Sequence, residues 1–121
     1  IGINDLTQYS MAADRGNRQV GYLNDVFEPA VLRAIRYIIK CAGDAGIPVG
    51  MCGEAAADPR LTPLLISFGL DEFSVSPSSV LRTRYNISLW TGEKADKVTA
   101  EVMNMASADD IKAYLTSLQS R

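Results

Sequence analysis

The feature that most constrains this chain is the spacing of its short apolar runs. Ile1 to Ile3, Ile47 to Cys52 and Glu72 to Val75 are each three to six residues long. Each is followed by a polar or glycine-bearing break and then by a helical pattern. Strands that alternate with helices run parallel and connect by right-handed crossovers. The run Ile47-Pro48-Val49-Gly50-Met51-Cys52 is apolar without alternation, the pattern of a strand covered on both faces. Three strands leave a parallel sheet with two open edges and little cover. A closed (β/α)₈ barrel takes about 250 residues, and the chain has 121. The expected architecture is therefore α/β: the C-terminal part of a (β/α)₈ TIM barrel, about three βα units, forming one partial domain over 1–121 with 93–121 as a helical extension. The competing arrangement is a small doubly wound sheet, but no Gly-x-Gly-x-x-Gly fingerprint supports it. The chain opens on Ile-Gly-Ile without Met and reads as a piece of a longer protein.

The helices are marked by period and punctuation. Val31, Leu32, Ile35, Ile38, Ile39 and Ala42 form one face of a helix that Pro29 is suited to open and Gly43 and Gly46 to close. Leu6 to Ala13 reads as a short helix. Asp58-Pro59 reads as a helix start, with Asp58 as N-cap and a stripe of Leu61, Leu64, Leu65 and Phe68 ended by Gly69. Ser76-Pro77 opens another helix to about Ser88. Two more follow, near Lys94 to Met105 and near Ala108 to Leu118. Met103, Met105, Leu115 and Leu118 read as core or interface, and Glu93, Lys94, Asp96 and Lys97 as a solvated helix face.

Composition narrows the chemistry. Twelve Lys and Arg against 14 Asp and Glu give a net charge of −2, which is no nucleic-acid footprint. No apolar run nears the roughly 20 residues of a membrane span, so no membrane insertion is expected. There is no histidine, which excludes a Ser-His or Cys-His pair and a Cys/His zinc site within this chain. Two cysteines without a disulfide pattern suit a reducing cytoplasm.

Ligands of such folds meet the C-terminal ends of strands. Three ends carry Asn4-Asp5, Cys52-Gly53-Glu54 and Ser74-Val75-Ser76. Asp5 offers a hard oxygen for Mg²⁺ and Asn4 a donor for a phosphoryl oxygen; the same pair could simply cap the helix at Leu6. Arg15 could clamp a carboxylate or phosphate; it could equally be a surface residue or a partner for Asp14. Cys52 ends its strand beside a glycine that lets a ligand approach. With no histidine to activate it as a nucleophile, its economical role is proton donor. The plain alternative is a small buried hydrophobe. Cys41, in mid-helix, reads as packing.

Three strings then matter together: Ile1 to Tyr9 with Asp14-Arg15-Gly16-Asn17, Gly50 to Glu54, and Gly69 to Ser76. In order and spacing they resemble the C-terminal end of enzyme I of the bacterial sugar phosphotransferase system, strongly to about Val80 and more weakly beyond. The wider group includes pyruvate phosphate dikinase and phosphoenolpyruvate (PEP) synthase, which share the Asn-Asp-Leu-Thr-Gln and Cys-Gly elements. Asp14 to Asn17 and Met51 to Asp58 look more like enzyme I, although Ala57 stands where that family usually has glycine. The resemblance implies a barrel that binds PEP and Mg²⁺ and passes the phosphoryl group through an enzyme histidine to the carrier protein HPr. Asp5 would ligate Mg²⁺, Asn4 and Asp5 would contact substrate, Arg15 would hold its phosphate, and Cys52 would protonate the enolate to pyruvate. The histidine, other arginines and a second carboxylate would lie outside this chain, so the piece alone is expected to be inactive. The resemblance also implies a homodimer formed through this region. A non-catalytic dimerisation module is the remaining alternative.

Overall fold

The computed structural model describes residues 1–119; Ser120 and Arg121, the end of the expected helical extension, lie outside the described residues. Six helices punctuate the described residues: α1 (Ile3–Met11), α2 (Pro29–Asp44), α3 (Thr62–Phe68), α4 (Val80–Ser88), α5 (Gly92–Val102) and α6 (Ala108–Gln119). Two strands, β1 (Gly50–Cys52) and β2 (Glu72–Ser74), pair in parallel with Gly50 opposite Glu72, Met51 opposite Phe73 and Cys52 opposite Ser74. Gly2 adds an isolated parallel bridge to Cys52 on the other side of β1. The architecture is thus α/β with a small two-stranded parallel sheet.

The apolar face of α2 is buried as its spacing requires: Val31, Leu32, Ile35 and Ile39 are all within 4% exposure, while Ile38 is only half-buried. They share one core with Met51 of β1, Leu61, Leu64 and Leu65 around α3, Val98 and Val102 of α5, and Ile111 and Leu115 of α6. Each such side chain contributes about 1.5–3 kcal/mol by leaving water. The tightest helix pair is α3 against α5. Gly69, at φ +86°, closes α3 in the left-handed region, with its N–H on the Ile66 carbonyl and that of Leu70 on the Leu65 carbonyl. Asp71 then accepts from the Val49 N–H at 2.8 Å, fixing the entry of β1 against β2.

Several boundaries differ from expectation. Asn4 and Asp5 do not sit on a strand end before a helix at Leu6. The helix begins at Ile3, because the Gly2 carbonyl accepts the Leu6 N–H at 2.9 Å, and neither side chain caps it. Asp58 does not cap α3. It ends a 3₁₀ turn over Glu54–Ala57, and its carboxylate takes the Arg60 N–H at 2.9 Å and the Arg60 guanidinium at 2.6 Å. A further turn intervenes before Thr62. The strand from Ile47 shortens to three residues, with Ile47 60% exposed. It is not covered on both faces: Met51 is buried and Cys52 exposed. Cys41 is exposed on α2 rather than packed, because it lies off the stripe set by Ile35 and Ile39.

The C-terminal helices belong to the same core. Lys112 of α6 donates to Asp25 at 2.7 Å, and Gln119 Nε2 reaches the Pro59 carbonyl at 3.3 Å. Replacing fully buried Leu115 by Ala should cost about 2–5 kcal/mol in a urea melt, against less than about 0.5 kcal/mol for Leu81→Ala on the surface. Equal midpoints would detach α6 from the core. The Lys112 ammonium is held above its ordinary 10.5 by the Asp25 hydrogen bond first and that of Asp109 second. A raised cation stabilises the fold fully below the ordinary value and stops doing so as pH rises through its folded value. The midpoint gap between the chain and Lys112→Gln should therefore be flat from neutral pH to the ordinary lysine value and close above it. A gap that persists undiminished far above the ordinary lysine value would refute that assignment.

Candidate active site

The site is assembled by main-chain bonds around β1. The Cys52 N–H donates to the Ile1 carbonyl at 3.1 Å, and the Ile1 nitrogen donates to the Gly50 carbonyl at 2.6 Å. Parallel pairing of Gly2 with Cys52 makes the two segments end on the same side of the sheet. The first turn of α1 therefore starts beside the turn that follows Cys52.

Cys52 is exposed, and its Sγ–H donates to the Ile1 carbonyl at 3.5 Å. The burial expected of a merely packed cysteine is not found. Gly53 follows at φ +98°, ψ 175°. A Cβ there would stand 2.8 Å from Ile3 Cγ2 and 3.9 Å from Asn4 Nδ2, so the absence of a side chain is what lets the two loops touch. Asn4 thus lies against Gly53, and Asp5 Oδ2 lies 3.8 Å from the place a Cβ on Gly2 would take. Both side chains are exposed. Asn4, Asp5 and Cys52 are brought to one rim.

The Arg15 guanidinium takes part in none of the ion pairs among the described residues. Arg15 lies beyond α1, exposed, with its main-chain N–H on Gln8 Oε1 at 3.1 Å. Nor does it pair with Asp14, whose carboxylate accepts the Gly16 N–H at 2.8 Å instead. Among the described residues, no three His, Cys, Asp or Glu side chains gather to hold a metal ion. Mg²⁺ takes one or two carboxylates with waters and substrate phosphates. Asp5, one hard oxygen donor on an open rim, fits a share of that shell and not a cage.

Sequence reading missed the polar groups beside the rim. A cavity of about 850 Å³ opens there, with Asn4 and Glu54 in its lining. Its cations are paired off, Lys112 with Asp25 and Arg60 with Asp58, while Glu28 and Glu54 enter no ion pair among the described residues, and the Arg60 guanidinium lies 4.6 Å from the centre of the Phe27 ring. The Asp58 bond raises the Arg60 guanidinium further still above its ordinary value. That cavity is a braced seam between the 21–28 loop and α6, and its paired cations leave little to grip an anion. The Asp-x-Arg spacing of 58 and 60 was the one available signal for it.

Gly53→Ala should lower stability by about 1–3 kcal/mol, since a left-handed residue and a clash with Ile3 are imposed together. It should also raise the alkylation rate of Cys52 relative to Cys41. An unchanged melt would mean that the loop tolerates the Cβ and that the close approach is not needed.

Comparison with known proteins identifies the family. The model of the family described as "PEP-utilising enzyme, PEP-binding domain" matches residues 1–91. Over 115 residues the chain is 43% identical to a phosphoenolpyruvate-protein phosphotransferase of Bacillus subtilis, an alignment covering 95% of this chain and 20% of that protein. It is 57% identical over 84 residues to the protein of that name from Streptococcus equinus, covering 69% and 15%, and 46% identical over 104 residues to that of Lactococcus lactis, covering 86% and 18%. The chain spans about a fifth of the length of the curated relatives it matches. It belongs to the PEP-binding domain family of the PEP-utilising enzymes.

Proposed function

We propose that the chain is the C-terminal part of the PEP-binding barrel of a PEP-protein phosphotransferase. In this reading the whole enzyme moves the phosphoryl group of PEP to its own histidine and then to HPr, in the cytoplasm. The relatives named above favour that branch over the dikinase and synthase branches. The single observation that carries the mechanism is the parallel pairing of Gly2 with Cys52, because it sets a carboxylate, an amide and a thiol on one rim.

PEP is dense in negative charge, and its phosphoryl transfer needs positioning and charge neutralisation more than covalent help. Asn4 donates to the substrate, and Asp5 holds Mg²⁺ together with groups outside this chain. Bound Mg²⁺ supplies charge neutralisation at the phosphate. Arg15, exposed on the loop after α1, would hold the phosphate. When the bond between phosphorus and the enol oxygen breaks, phosphorus goes to the acceptor histidine and its electron pair stays on the enolate. The Cys52 thiol then gives its proton to the terminal carbon, yielding pyruvate and a thiolate that water reprotonates. The exposure of Cys52 beside Gly53, on the rim that Asn4 shares, supports this role.

The chain holds one carboxylate of the site and no histidine, so in this reading it is inactive alone. Its outer surface supports the same incompleteness. Leu81, Tyr85 and Leu89 form an exposed apolar stripe along α4 (79%, 63% and 54%), and β2 pairs on one side only. The rest of the barrel, or a second copy in a homodimer, covers such a face. No helix of the described residues is long and apolar enough to cross a membrane.

The test is a chimera in which these 121 residues replace the matching part of the Bacillus subtilis relative. PEP-dependent phosphorylation of HPr should be retained. Cys52→Ala should reduce turnover at least about 100-fold, the span general acid catalysis contributes, while the KM for PEP changes little. Arg15→Ala should raise KM instead. Full turnover in the Cys52→Ala chimera would end the proton-donor role.

A further inference from the structure

A second cavity, of about 620 Å³, lies between the turn that follows Cys52 and the first turns of α4. Its α4 wall carries Arg82 and Asn86, one helical turn apart. Asn86 is 9% exposed, and its Nδ2 has no hydrogen-bond partner among the described residues. A buried amide donor without an acceptor is rare enough to require an explanation. Arg82 takes part in none of the ion pairs among the described residues. Arg60, also in the lining, is already committed to Asp58. One carboxylate of the cavity remains uncommitted, that of Glu54, two residues after Cys52.

The donors could take a free oxyanion or the Glu54 carboxylate, and charge decides between them. With Arg60 and Asp58 neutralising each other, the lining is left with one cation and one anion. A free anion would meet Glu54 as well as Arg82 and would lose its translational freedom on binding. Glu54 brings its own charge to the cation and is already tethered, so its effective concentration is high. We infer that Glu54 closes onto Arg82 and Asn86, and that these three act as positioning residues for Cys52. Closure satisfies the orphaned amide and leaves β1 in place. It acts on the Gly53–Glu54 peptide, whose two sides are already held by the Cys52 N–H on Ile1 and the Ala56 N–H on Gly53 at 3.2 Å. Its bearing on catalysis rests on Cys52 as proton donor; the coupling itself does not.

The experiment is the alkylation rate of Cys52 by iodoacetamide in the full chain, with Cys41 read separately by peptide mass spectrometry as an internal reference. Direct electrostatics predicts opposite signs for Glu54→Gln and Arg82→Gln, because one removes a negative and the other a positive charge near the thiol. Positioning predicts the same sign. Both variants should speed alkylation about two- to fivefold, the population change that an ion pair of ordinary surface strength controls. The double variant should be no faster than either single one, Arg82→Lys should retain most of the protection, and Cys41 should not change. The Asn86 side-chain NH₂ resonances should move in Glu54→Gln. Opposite signs, additive effects, unchanged rates, or a parallel rise at Cys41 would each overturn the inference. If the coupling is found while the Cys52→Ala chimera stays fully active, the catalytic reading fails and the positioning stands.

Discussion

The structure depends on the main-chain bonds around three residues of β1. Gly50, Met51 and Cys52 take Ile1 and Gly2 on one side and Glu72, Phe73 and Ser74 on the other. Parallel pairing gives these segments a common direction, so the turns that leave them emerge on one rim. This pairing, with the contact of Ile3 and Asn4 on Gly53, joins Asn4 to Cys52 across nearly fifty residues of sequence. The α2 helix, which spans that gap, has its own stripe to bury and does so against Met51 and α3. Packing and pairing therefore fix the same arrangement, which is why so short a sheet suffices to hold it.

The pleat then decides which side chain is spent on the core and which is left for chemistry. Met51 is fully buried and Cys52 exposed because successive residues of a strand face opposite ways. A register slip of one residue would bury the thiol and expose the methionine. The Asp71 carboxylate on the Val49 N–H and the left-handed closure of α3 at Gly69 pin that register from outside the sheet. Both lie more than 15 residues from Cys52 in the sequence, so the exposure of the thiol is a property of the fold and not of its local string.

Much of this was legible in the residues, and the exceptions have a common cause. Pro29 and the Val31 to Ala42 spacing marked α2 to within two residues of its observed end, because period and punctuation agree there. The order of the apolar runs placed Cys52 at a strand end, and put Asn4 and Asp5 just after the segment that pairs with it, although both fall in the first turn of α1. The exposure of Cys52 was hidden because an apolar run without alternation reads the same whether one face is covered or two. Asp58 resembled an N-cap, since the Asp-Pro string is identical, but Arg60, two residues on, claimed its carboxylate. Arg15 could be placed in sequence and not in space, because a loop of Asx turns carries no period. Glu54, Arg82 and Asn86 were invisible for a stronger reason: some 30 residues separate the first from the others, and only the packing of α4 brings them to one cavity.

The α4 helix shows what such a division of the molecule does to amphipathicity. Its inward positions include Thr83 and Asn86, each with a buried polar atom lacking a partner, while Leu81 and Tyr85 point out. A helix that only had to cover this sheet would place those residues the other way round, since burying apolar area is the main gain available to it. The inversion is understandable if its outer stripe also has a surface to cover and its inner face must donate hydrogen bonds as well as pack. The same division runs through the chemistry. Under the proposed function, one hard oxygen, one amide and one thiol would orient and protonate the substrate, and the cations its phosphate needs would come from outside this chain.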